Sequence, residues 1–165
     1  NFVEEWDSGT GIHEVGGLKA GKTYTVHETV APDGYLLPTD KTFTIAANGT
    51  ITYSGTKTTD ESGNTVLLVQ NSMTHVEVSV VDKHNSEKIA GGHVQVIDTN
   101  GDIFEEWDST TGNHVIEGLK TGEEYTIHET EAPEGYLPSA DYTFTNGSSY
   151  VLHPKKTCDH FFYAF

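Results

Sequence analysis

Residues 2–44 and 103–145 of this chain align without a gap at a constant offset of 101 positions, and more than half of the aligned residues are identical. Trp6 falls on Trp107, Leu18 on Leu119, Glu28 on Glu129, Tyr35 on Tyr136 and Phe43 on Phe144. Solenoid repeats run to about 20–50 residues, so this period is too long for one. It suits a complete β-sandwich domain of about 100 residues. The expected organisation is therefore two tandem domains, residues 1–75 and 76–165. The first copy has no counterpart of residues 76–102, and the second has none of residues 65–71. Both domains are expected to be incomplete within this chain.

Inside each period the segments are short, rich in Val, Ile, Thr and Tyr, and separated by turn residues, which is the pattern of strands. Strands are expected at residues 2–6, 22–29, 42–46, 50–53, 65–71, 76–82 and 93–98. Asn48-Gly49 and Asn100-Gly101 are hairpin signals. The polar stretch 56–63 reads as a loop. Ala31-Pro32-Asp33-Gly34 places Pro second and Gly fourth, as a type I turn does. No segment carries a helical period of useful length, so the fold class is all-β.

The stretch from Tyr24 to Tyr35, Tyr-Thr-Val-His-Glu-Thr-Val-Ala-Pro-Asp-Gly-Tyr, returns from Tyr125 to Tyr136 as Tyr-Thr-Ile-His-Glu-Thr-Glu-Ala-Pro-Glu-Gly-Tyr. Alternate residues of a strand share a face. Glu28 thus lies with Tyr24 and Val26, and Glu129 with Tyr125 and Ile127. A carboxylate on a core face is rare unless it is paired or protonated, because burial removes its hydration. What stands opposite these two acids is the central chemical question.

The formal net charge of −16, with nine Lys and no Arg, argues against nucleic acid, whose phosphates need clustered cations. No run approaches the roughly 20 apolar residues of a membrane-spanning helix. The acidic N-terminus lacks the apolar core of a signal peptide. The single Cys158 excludes an internal disulfide framework. It has no base-and-orienter context that would make it a nucleophile. Asp98–Asp102 and residues 58–64 are oxygen-rich but read as turns, not calcium loops. His27-Glu28 has Ala31 where a zinc-binding helix would carry its second His. No metal or cofactor is expected, and the nine His are expected mostly at surface positions of strands.

The pattern Y-x-x-x-E-T-x-A-P-x-G-Y resembles the E-box of Gram-positive pilins and surface adhesins. The blocks Trp6-Asp7-Ser8 and Trp107-Asp108-Ser109, with Gly17-Leu18 and Gly118-Leu119, resemble the SpaA or CnaB type of prealbumin-like repeat. The resemblance covers residues 2–71 and 76–145. It implies tandem prealbumin-like, inverse immunoglobulin-like β-sandwiches in an extracellular protein anchored to the cell wall at full length. It also implies an autocatalytic isopeptide bond between a first-strand Lys and a last-strand Asn, promoted by the E-box acid. Glu28 and Glu129 take the acid position and Asn71 the acceptor position. The Lys position falls on Val80. Lys83 is the nearest amine, and strand alternation sends it to the opposite face unless a bulge intervenes.

The function implied is a structural stalk module whose partners are neighbouring repeats. The alternatives left open are an adhesin domain binding a host protein or glycan, and a strand-exchanged assembly in which residues 1–75, or the tail from Tyr150 to Phe165, pair with another copy. An enzyme with an external substrate is not expected, since self-directed bond formation is a single turnover.

Overall fold

The computed structural model describes residues 2–147 and 160–164, the latter as a strand. Every regular element among them is β. Twelve strands run in chain order: β1 Thr23–Val26, β2 Lys41–Ile45, β3 Ile51–Tyr53, β4 Lys57–Thr59, β5 Thr65–Leu67, β6 His75–Asp82, β7 His93–Ile97, β8 Ile103–Asp108, β9 His114–Glu117, β10 Glu124–Glu131, β11 Tyr142–Thr145 and β12 His160–Ala164. The chain divides into two compact units. The first comprises Asn1–Ala31 and Leu37–Asn71, the second Pro32–Leu36 and Ser72–Phe165.

The second unit has two antiparallel sheets, ordered β11-β10-β7-β8 and β12-β6-β9. Alternation along β6 turns Val76, Val78 and Val80 inward, and Ile116 of β9 joins them. They meet Val94 and Val96 of β7, Tyr125 and Ile127 of β10 and Phe144 of β11 in one continuous core. Each fully buried aliphatic side chain of this kind contributes about 1.5–3 kcal/mol relative to exposure. Residues Pro32–Leu36 belong to this unit through a short ladder. Thr74 N–H donates to the Gly34 carbonyl at 2.9 Å, and Leu36 N–H donates to the Ser72 carbonyl at 2.8 Å. Gly34 has φ +80°, and a Cβ there would lie 2.6 Å from the Gly118 carbonyl oxygen. Only glycine satisfies both conditions.

The first unit contains the sheet β1-β2-β3 and the hairpin β4-β5. Its β1–β2 register, Tyr24 opposite Phe43 and Thr25 opposite Thr42, is that of β10–β11, where Tyr125 faces Phe144 and Thr126 faces Thr143. The Asn48-Gly49 hairpin forms as expected, with Gly49 at φ +83°.

Several local expectations need correction. Residues 2–6 form no strand, although their counterparts make up most of β8. β8 is paired with β7, and among the described residues no strand pairs with residues 2–6. β1 spans four residues where eight were expected, and it pairs with β2 alone among the described strands. The polar stretch 56–63 carries β4, which pairs with a β5 shortened to three residues. The Pro-x-Gly turns close one residue later than the type I reading. Tyr35 N–H donates to the Pro32 carbonyl at 3.1 Å and Tyr136 N–H to the Pro133 carbonyl at 3.0 Å. This puts Gly34 and Gly135 third, both with positive φ, as a type II turn requires. The tail carries β12, which pairs with β6 and sets Phe162 opposite Val80. Cys158 lies outside the described residues.

Candidate functional site

Glu28 and Glu129 occupy different surroundings. Glu129 sits within β10, opposite Val94 of β7, and is 3% exposed. Its Oε2 accepts a hydrogen bond from the Ser139 backbone N–H at 2.7 Å. Its Oε1 is buried with no hydrogen-bond partner, as is the Ser139 hydroxyl. Gly92 makes room for the carboxyl: a Cβ there would come within 2.9 Å of Oε1 and 3.0 Å of Pro133.

Glu28 lies two residues beyond the end of β1 and is half-buried, not in the core its strand alternation predicts. Its carboxylate Oε2 accepts a hydrogen bond from Asn71 Nδ2 at 2.7 Å. The pair spans 43 positions of sequence, so it is tertiary and not an accident of a local turn. A carboxyl group this close to an amide nitrogen is within proton-transfer reach of it.

Val80 is 3% exposed and packs in the core among Val76, Val78 and Ile116. Lys83 follows the last residue of β6 and is half-buried. The structure thus brings Glu28 to Asn71 and gives Glu129 a backbone donor, and the position expected from the resemblance to carry Lys is the core valine Val80. The residues of β12 include neither Asn nor Asp.

Six histidines prove to be paired with carboxylates, a feature sequence reading left as dispersed surface positions. His13 Nε2 meets Glu4 at 2.9 Å, and its counterpart His114 Nε2 meets Glu105 at 2.8 Å. Each of these rings also stacks on a tryptophan: His13 on Trp6 with centroids 4.4 Å apart, and His114 on Trp107 at 4.1 Å. His27 Nδ1 to Asp40 and His128 Nδ1 to Asp141 are both 2.6 Å. His93 Nδ1 lies 2.7 Å from Asp108, and His84 Nδ1 lies 3.4 Å from Asp82. The recurrence of His and acid at the same spacing in both copies was the available signal. The Asp108 hydrogen bond, helped by Glu106, raises the pKa of His93 above its ordinary value. Asp82 is lowered by the His84 backbone N–H and by the Tyr136 hydroxyl, which donates to it at 2.9 Å.

The oxygen-rich segments are turns. Asp98 Oδ1 accepts from the N–H groups of Asn100 and Asp102, and Asp60 Oδ1 accepts from those of Ser62 and Asn64. The Asn64 side-chain amide, which donates to Asp60 Oδ2, and then the backbone N–H groups lower the Asp60 carboxyl, and the Asp102 N–H chiefly lowers that of Asp98. Among the described residues no group of His, Cys, Asp and Glu is arranged to hold a metal ion. No helix among them is long and apolar enough to cross a membrane.

Two sheets closed on one valine-rich core, an acid on a core strand and a preceding domain of the same pattern define a repeat of prealbumin-like β-sandwich type. A family model described as SpaA, a prealbumin-like fold domain, matches residues 2–59 and 74–151. The chain belongs to this family. No curated protein matches it.

Proposed function

We propose that this chain is a structural repeat module of a bacterial cell-surface protein of the pilin or adhesin kind, extracellular in location, and not an enzyme acting on an external substrate. The tandem duplication supports the reading, because serially joined sandwiches space a distal part from an anchor without any chemistry of their own. The acidic surface fits a solvated stalk whose segments repel one another.

The observation that carries the isopeptide part of the proposal is the Asn71 Nδ2 to Glu28 Oε2 hydrogen bond of 2.7 Å. In the reaction a neutral Lys amine attacks the Asn71 side-chain carbonyl carbon. The C–N bond to the lysine forms, the bond to Nδ2 breaks, and ammonia leaves with a proton relayed from the lysine. Glu28 holds the leaving nitrogen and is placed to pass it that proton. The cross-link would constrain the unfolded chain as a disulfide does, at about 2–4 kcal/mol in the loop-entropy picture. In the second unit the position that the resemblance gives to the Lys is Val80, in the core, and Lys83 is the amine nearest to it by sequence. Val80 there argues against a cross-link beside Glu129.

Intact-mass spectrometry tests the bond. A deficit of one ammonia, with a Lys–Asn71 branched peptide after digestion, supports it. A mass equal to the plain sequence removes the cross-link from this chain and leaves the stalk reading standing on the fold. Protease shaving of intact cells tests location: peptides from residues 72–147 should be released without lysis. Their appearance only after lysis overturns the surface assignment.

A further inference from the structure

We infer that Asn48, in the turn joining β2 to β3, is a site of spontaneous covalent modification. Its side-chain amide is lost by ring closure onto the Gly49 backbone nitrogen, which leaves a mixture of Asp and iso-Asp linkages. The inference goes beyond the stalk reading and does not depend on the isopeptide chemistry.

Three Asn-Gly pairs occur in the chain: Asn48-Gly49, Asn100-Gly101 and Asn146-Gly147. In such a pair the backbone nitrogen that must reach the side-chain carbonyl carbon has no Cβ beside it, so its approach is the least hindered. The Gly49 nitrogen attacks Asn48 Cγ, and negative charge gathers on Oδ1. The Cγ–Nδ2 bond then breaks, and ammonia leaves carrying the proton from the glycine N–H. Water opens the five-membered imide in one of two ways. Addition at Cγ restores the original backbone with an Asp side chain, whereas addition at the backbone carbonyl leaves the chain running through the side-chain carboxyl. Either product adds one negative charge to a chain whose formal net charge is already −16.

The surroundings of the three pairs differ. Asn146 is 6% exposed, and its Nδ2 donates to the Leu119 carbonyl at 2.6 Å. Its backbone N–H donates to the Glu123 carbonyl at 2.9 Å, so neither end of the residue is at liberty to swing into a ring. Asn48 and Asn100 occupy exposed turns of the same build. Gly49 N–H donates to the Ala46 carbonyl at 2.9 Å, and Gly101 N–H to the Asp98 carbonyl at 3.1 Å. Both glycines have positive φ and open space where a Cβ would stand. The two turns part company at their first residue. Ala46 offers no side-chain acceptor, and the Thr50 N–H donates to Asn48 Oδ1 at 3.1 Å. That oxygen is where charge develops during ring closure, and a donor already aimed at it stabilises the intermediate. In the other turn Asp98 Oδ1 takes the equivalent Asp102 N–H at 2.9 Å, and Asp98 Oδ2 holds Asn100 Nδ2 at 3.2 Å. The Asp98 carboxylate, kept ionised chiefly by that Asp102 N–H, also opposes a second negative charge beside it. Asn48 is therefore the pair that closes first.

The test incubates the full folded chain in mildly alkaline buffer and follows each pair by peptide mapping with mass spectrometry. Asp and iso-Asp should accumulate at position 48 at least about five-fold faster than at position 100, the factor that one hydrogen bond of ordinary net strength supplies. Position 146 should react only when the chain is unfolded in urea, where positions 48 and 100 should react alike. Asp98→Ala should speed the reaction of Asn100 and Ala46→Asp should slow that of Asn48, each by about the same factor. The imide shares its mass deficit of one ammonia with a Lys–Asn71 cross-link, and hydroxylamine tells them apart. It opens the imide and cuts the chain between Asn48 and Gly49, whereas a cross-link survives it. Equal rates at positions 48 and 100 in the folded chain, reaction of Asn146 without urea, or indifference to the substitutions at positions 46 and 98 would each overturn the proposal.

Discussion

The two copies of the twelve-residue motif share sequence, register and local hydrogen bonds, yet one is core and the other is rim. Tyr125 is 4% exposed and Tyr24 half-buried; Pro133 is fully buried and Pro32 exposed. The contacts that match are those made within the motif or to the next strand: the Tyr hydroxyl to the Gly-Leu-Lys loop, the His–Asp pair, the Pro-to-Tyr turn. Those that differ are contacts with β7 and with the segment before it in the second unit. The motif therefore specifies geometry, and its neighbours specify burial. Chemistry attributed to the motif acid has to be judged by what surrounds it in each copy.

The sharpest way to break this comparison is to truncate the same tyrosine twice. Tyr125→Ala removes a buried aromatic ring from the core, and losses of about 3–5 kcal/mol are expected for such deletions. Tyr24→Ala removes a ring half in solvent and should cost the first unit about 1 kcal/mol, in proportion to the smaller area released. Urea unfolding followed separately for each unit by NMR checks both values. Equal costs would mean that Tyr24, though half-buried, is packed as tightly in the first unit as Tyr125 is in the second.

Gly92 makes room for the buried carboxyl of Glu129 in the second unit. Gly92→Ala forces a methyl against Glu129 Oε1 and Pro133. Overpacking of this kind costs about 1–3 kcal/mol. The same denaturation assay should show it in the second unit while leaving the first unchanged. A neutral result would show that the turn at Pro133 gives way easily, and would weaken the contrast between the two acids.

Much of this was legible from the residues, and the failures share a cause. The all-β class, the strands β6, β7 and β10 and the burial of Glu129 followed from alternation of apolar and polar residues. Such a pattern suffices where a strand has neighbours on both sides. Residues 2–6 carry nearly the same pattern as β8 and form no strand, because pairing is a property of two segments and only one was read. Glu28 slid from expected core to half-buried for the same reason. The turn type was missed because Pro second with Gly fourth and Pro first with Gly third are the same string in two registers one residue apart. The Glu28–Asn71 contact was foreseen only through family resemblance. Nothing in the spacing of 43 residues implies it.

Asn71→Ala offers a smaller effect with a clear reading. The Glu28 carboxylate would lose a charge-assisted hydrogen bond in a partly buried site, at about 1–2 kcal/mol of first-unit stability. Glu28→Gln should cost less, because an amide oxygen can still accept the Asn71 N–H. Similar losses for the two variants would assign the pair's value to charge and not to the hydrogen bond. Neither change should alter the second unit, whose acid is held by Ser139.

The smallest expected effect separates the copies by pH. His93 on β7 faces Asp108 and Glu106 on β8, and Glu131 of β10 lies opposite it in the ladder. Its pKa is raised in the folded state, chiefly by the Asp108 hydrogen bond. A raised histidine pKa means the folded form binds the proton more tightly. The stabilisation is then full below the unfolded value of about 6.5 and fades as pH rises through the folded value. The second unit should accordingly lose a little stability on going from about pH 6 to pH 8, and His93→Gln should flatten that slope. His93 belongs to the second unit, so the first unit's pH profile over the same interval should not respond to the substitution. If His93→Gln leaves the second unit's slope intact, the charge of the imidazole is not what ties β7 to β8. Cross-strand backbone pairing alone would then account for the β7–β8 ladder.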